Sequence, residues 1–92
     1  MIDPTETEIR GRWILVGGNV EKDEQCTRIE QLIGSELREI ARDASGWEVL
    51  YVDPLDGRNW ELTYPESNLH GGGPPMLREV TKEHARKKYG TS

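Results

Sequence analysis

Ninety-two residues suffice for one domain and fall short of two. Twelve Lys+Arg against seventeen Asp+Glu leave a formal net charge of −5, and the hydrophobic share is a modest 34%. No run of purely apolar side chains exceeds the four of Trp13–Val16, which excludes a transmembrane helix, and the acidic stretch Met1–Arg10 excludes a secretory signal. One cysteine excludes an internal disulfide, and two histidines beside it make a zinc site a poor reading. The expectation is a reduced, soluble, acidic, single-domain protein without cofactor or metal. With Phe absent, three Trp and three Tyr supply the bulk of a small core.

The polar residues 1–9 read as a loose lead-in. Arg12–Val16 is β-branched and apolar and reads as a strand, Gly17-Gly18-Asn19 as a turn, and Val20–Lys22 as a short return strand. Between Glu24 and Arg42, the apolar residues Cys26, Ile29, Leu32, Ile33, Leu37, Ile40 and Ala41 recur at steps of three and four. That spacing predicts one long amphipathic helix, capped by Asp23 and flawed by Gly34. Trp47–Val52 and Arg58–Tyr64 flank Asp53-Pro54-Leu55-Asp56-Gly57 and predict a β-hairpin. Its register pairs Asp53 with Arg58, Tyr51 with Trp60, Val49 with Leu62 and Trp47 with Tyr64. The last six share one buried face, and Glu48, Leu50, Val52, Asn59, Glu61 and Thr63 share the other. Pro65–Pro75 reads as a loop, Met76–Val80 as a strand, and Lys82–Tyr89 as a helix between a Thr81 cap and Gly90. The fold class is α+β: a mainly antiparallel sheet of about four strands, one long helix packed on it, and a short C-terminal helix.

Enzymatic readings fare poorly. His70-Gly71-Gly72-Gly73 is an oxyanion-loop pattern, but no Gly-x-Ser-x-Gly elbow accompanies it. Glu48 and Glu61 lie on one hairpin face, as a glycosidase pair would, with nothing else to form a sugar cleft. Cys26 lies on the apolar stripe and reads as a small buried hydrophobe rather than a nucleophile. Arg86-Lys87-Lys88 complements a helix dipole, and an acidic chain is a poor nucleic-acid binder. Asp53, Asp56, Glu61 and Glu66 gather on the hairpin and the loop after it, where an acidic edge can steer a basic partner.

The run Trp47-Glu48-Val49-Leu50-Tyr51-Val52-Asp53-Pro54-Leu55-Asp56-Gly57 continues through Trp60-Glu61-Leu62-Thr63-Tyr64-Pro65 to His70-Gly71-Gly72-Gly73-Pro74-Pro75. With Gly11-x-Trp13, Cys26-Thr27-Arg28-Ile29 and Ala85-x-x-Lys88-Tyr89-Gly90, this pattern resembles the immunity protein 27 family of bacterial polymorphic toxin systems. The resemblance implies a single immunity-type domain over residues 1–92. It implies a cytoplasmic protein that binds and neutralises a toxin effector domain, without catalysis and without direct contact to nucleic acid or membrane. It brings no catalytic residues with it. A nuclease effector is the expectation by analogy, because its basic surface suits an acidic inhibitor. A monomer is favoured, and the partner contacts expected from the acidic edge are Asp53, Asp56, Arg58, Glu61, Glu66 and His70. The alternative is an adaptor or regulatory module for a partner other than a toxin.

Overall fold

Two alternating sets of residues organise the molecule. Val49 and Tyr51 stand opposite Leu62 and Trp60 on adjacent strands, and all four side chains are buried together. The computed structural model describes residues 2–66 and 73–90. Its strands are β1 (Glu8–Arg10), β2 (Trp13–Val16), β3 (Asn19–Lys22), β4 (Arg38–Arg42), β5 (Val49–Val52), β6 (Asn59–Thr63) and β7 (Met76–Val80), and its helices are α1 (Glu24–Gln31) and α2 (Lys82–Tyr89). A five-stranded antiparallel sheet has the order β1-β7-β6-β5-β4, and β2 and β3 form a separate two-stranded ribbon. The fold is α+β as expected, but the ribbon does not join the main sheet.

On one face of the sheet, Ile29 and Leu32 from the α1 region pack on Val49, Tyr51, Trp60, Leu62 and Leu77, with Ile2 and Ile9 closing the far edge. Each such side chain, fully buried, contributes roughly 1.5–3 kcal/mol. Period-two alternation turns Glu61 and Thr63 to the other face. That face is half apolar and was expected to be only partly exposed, and Glu48, Val52 and Asn59 are indeed half-buried. Leu50, Glu61 and Thr63 are buried there, and α2 reaches Glu61 from that side. The arrangement is therefore helix, sheet, helix, rather than a single helical layer.

Three further expectations are corrected. The long helix from Glu24 to Arg42 does not form. After α1 comes a π-helical turn, Leu32–Glu36, closed by a Leu37 N–H to Leu32 carbonyl bond of 2.8 Å, and the chain then becomes β4. Gly34 lies inside that turn, where its low helix propensity eases the exit. The ladder bonds of β4 to β5 replace the helical ones, with a bulge between Glu39 and Ala41. The lead-in is also tied down: β1 pairs with β7, and Ile2 and Ile9 are buried. Finally, Trp47 does not join the buried face. The β5–β6 ladder ends at Val49–Leu62, and Trp47 meets Tyr64 only edge-on, with ring centroids 5.9 Å apart.

Candidate partner-binding surface

Asp53, Asp56 and Arg58 do come together, at the β5–β6 turn. The Asp53 N–H donates to the Arg58 carbonyl at 2.9 Å, which fixes the expected register, and Gly57 supplies the left-handed residue at φ 77°. Asp53 is only 5% exposed, and its carboxylate accepts the Leu55 N–H at 2.9 Å. Arg58 is occupied as well. Its guanidinium donates to the Glu6 carbonyl at 2.8 Å and the Asp3 carbonyl at 3.2 Å, and it pairs with Asp56 at 2.7 Å and Glu79 at 3.1 Å. It also lies over the Trp60 ring, 4.9 Å from the centroid. Arg58 staples the N-terminal segment to the sheet, and four of its five N–H donors are spent within the chain. The Arg58 pair also holds the Asp56 carboxyl below its ordinary value, through backbone and side-chain hydrogen bonds.

Glu61 is the largest departure from the expected site, because it is 0% exposed. One carboxylate oxygen accepts from Arg78 at 3.0 and 3.2 Å. The other meets the Lys88 Nζ at 2.7 Å, the Tyr89 hydroxyl at 2.7 Å and the His84 Nε2 at 3.4 Å. Burial alone would raise its pKa, but the hydrogen bonds from Lys88, Tyr89 and Arg78 outweigh that and leave it at about 2. Lys88 also pairs with Glu48, which confirms that both glutamates share a face and gives Lys88 a role beyond the helix dipole. The Tyr89 hydroxyl is pushed upward by burial and then by Glu61. Glu61 is thus a scaffold carboxylate that fastens α2 to the sheet, and it cannot offer itself to a partner.

Glu66 is exposed, but β6 separates it from Asp56. At about 3.3 Å per strand residue the two carboxylates flank opposite ends of the sheet, so the acidic edge is not one patch. His70 lies outside the described residues. Among the described residues no group of His, Cys, Asp and Glu could hold a metal ion.

Other sequence features resolve as packing. Asp23 caps α1 by accepting the Cys26 N–H at 2.9 Å. The Cys26 thiol is fully buried and directed at the Arg12 carbonyl at 3.3 Å, and burial, with Asp23 beside it, raises its pKa. Gly11 is glycine because a Cβ there would sit 2.6 Å from the Cys26 Sγ and 2.9 Å from the Pro75 carbonyl oxygen. Gly73, at φ 77°, would place a Cβ 2.4 Å from the Glu66 carbonyl oxygen.

The surface that sequence reasoning missed is apolar. On the β2–β3 ribbon Leu15 is 73% exposed and Val20 65%, with Ile14 and Val16 exposed beside them. Gly17 and Gly18, both at positive φ, close its turn in the way a tight hairpin requires. At its base Trp13 and Lys22 line a recess of about 230 Å³ with Ile33, Leu62 and Tyr64. The same Ile33, Leu62 and Tyr64 line a neighbouring recess of about 460 Å³, whose lip is Trp47, 64% exposed. A signal was present in the sequence. Trp13-Ile14-Leu15-Val16 is apolar at every position, and a two-stranded ribbon standing off the sheet cannot bury both of its faces.

No curated protein and no solved structure matches the chain. Residues 15–81 match the family described as Immunity protein 27, a span that opens in the ribbon and closes at the cap of α2. With most of its length inside that match, the chain belongs to the immunity protein 27 family.

Proposed function

We propose that this chain is a non-enzymatic immunity protein. It binds the effector domain of a cognate polymorphic toxin in the cytoplasm of the producing cell and covers the active site or substrate path. The observation that carries this reading is the family match across residues 15–81. The disposition of the charged groups supports a binding role over a catalytic one. In the candidate acid–base pair, Glu48 and Glu61 are both bridged by Lys88 and Glu61 is closed over by α2, so neither carboxylate of the pair is free for hydrolysis. A formal charge of −5 favours a basic effector, and a nuclease fits that description.

The test is co-purification of the tagged chain with the inactivated C-terminal domain encoded by the neighbouring toxin gene, followed by binding kinetics. The expected result is a nanomolar complex, with protection of cells that express the active effector. Absence of binding at micromolar concentration, together with absence of protection, overturns the toxin pairing and leaves an adaptor role for another protein.

A further inference from the structure

We infer that the effector domain docks on the β2–β3 ribbon and on the aromatic groove at its base, anchored by apolar side chains and not by the acidic residues. This rests on the immunity reading above. The ribbon pairs Trp13 with Lys22 and Leu15 with Val20 on one face, and Ile14 with Glu21 and Val16 with Asn19 on the other. Both faces therefore carry apolar side chains, and Ile14, Leu15, Val16 and Val20 are all exposed. A two-stranded hairpin is marginal in water by itself, and exposed aliphatic groups at its tip add nothing to its own stability. Leu15 and Val20 share the ribbon face of Trp13 and Lys22, which line the recess, and with Trp47 they present exposed apolar surface of the kind that marks a contact site on a soluble monomer. A standard interface takes about 800 Å² from each partner, so polar groups around these side chains would form its rim.

The patch is continuous. Tyr64 joins the recess at the ribbon base to the recess under Trp47, and its ring touches the Trp47 ring edge-on. The charges on the rim are already matched within the chain. Lys22 pairs with Glu30 at 2.6 Å, and Arg42 pairs with Glu39 at 3.0 Å while donating to the Gly46 carbonyl at 3.3 Å. A partner does not need to neutralise them, so the groove accepts an apolar or aromatic side chain. Glu21 is the ribbon's one charge without an ion pair among the described residues. It suits a Lys or Arg at the partner's rim. The same sign argument disfavours a second copy as the occupant, because two chains of −5 repel each other.

The experiment compares binding of the inactivated effector domain to the full-length protein and to three variants. Leu15→Ser with Val20→Ser removes the ribbon anchors, and Trp47→Ser removes the lip. Leu55→Ser is the control: Leu55 is 72% exposed but lies in the β5–β6 turn, at the other end of β6. The ribbon double variant should bind at least 50-fold more weakly and Trp47→Ser at least tenfold. Both losses should appear in the dissociation rate, with association rates within threefold of wild type. Leu55→Ser should bind within twofold, and all melting temperatures should stay close to wild type. If the ribbon and Trp47 variants both bind within twofold of wild type, the docking surface is refuted and the immunity reading stands. If the unaltered protein does not bind the effector, both fall. A concentration-dependent dimer of the free protein that the ribbon variant abolishes would overturn the proposal in favour of a second copy.

Discussion

Replacing Glu61 by Gln tests the account of the buried carboxylate. The amide keeps the shape and loses the charge, so Lys88 and Arg78 lose the anion between them and the Tyr89 hydroxyl donates to a weaker acceptor. A carboxyl at about 2 in the fold against an ordinary 4.5 corresponds to about 3 kcal/mol as a ceiling. Arg78 and Lys88 remain partly open to water, which recovers some of their solvation, so the expected loss at pH 7 is about 2–3 kcal/mol. For a domain of this size that lowers the melting temperature by on the order of 10–20 °C. The sign in acid follows from linkage. Because the folded carboxyl is depressed, its contribution is complete above about pH 4.5 and drains away as pH falls toward 2. By pH 3 about 2 kcal/mol of it should be gone. Urea titrations of wild type and Glu61→Gln at pH 7 and pH 3 measure both quantities. The gap should shrink from about 2–3 kcal/mol to about 1 or less. A variant within about 0.5 kcal/mol of wild type at pH 7, or a gap that is the same at pH 3, would refute the reasoning.

Arg58→Met keeps the stem over Trp60 and removes the bonds to Asp3, Glu6, Asp56 and Glu79. The expected cost is about 2–3 kcal/mol, with faster amide hydrogen exchange in β1, while retained protection of Ile9 would show that the staple is dispensable. Gly73→Ala and Gly34→Ala should separate sharply. The first forces a Cβ onto the Glu66 carbonyl at positive φ and should cost more than about 2 kcal/mol. The second meets nothing within 4 Å at an ordinary φ and should be neutral or stabilising by up to about 1 kcal/mol, with thermal melts deciding both. Cys26 should resist an aromatic disulfide reagent at pH 8 in the folded protein and react at once in urea; rapid labelling of the native state would contradict its burial.

Where a local rule had a local cause, the sequence was legible. The β5–β6 register followed from alternation, and the Asp23 cap, the Thr81 cap and Gly90 at φ 70° lie where the capping residues put them. The β4 strand was hidden by its own bulge. An extra residue between Glu39 and Ala41 breaks the period of two, and Leu37, Ile40 and Ala41 then continue the helical spacing begun at Ile33. β1 is three residues long, too short for any periodicity to show, and it is defined by partners more than fifty residues away. Alternation placed Glu48 and Glu61 on one face, but nothing local revealed that Lys88, from the last turn of α2, would bridge them. Which of the candidate site's charged groups are already paired was hidden for the same reason. Charged residue types were read as free groups, and whether a carboxylate is free depends on long-range pairing.

That pairing separates two properties that the acidic composition had merged. An ion pair cancels charge locally but does not alter the net −5 seen from a distance. Over the roughly 8–10 Å at which salt screens, the whole chain still attracts a basic partner. At contact, Asp53 faces its own turn, Glu61 faces α2, and Arg58 is bound to the N-terminal segment, so none of them can grip the partner. The apolar ribbon and Trp47 are exposed, and they are the proposed contact. On the proposed docking, steering and anchoring therefore belong to different residues. Salt should slow association while leaving dissociation nearly unchanged, and substitutions in the ribbon should do the reverse.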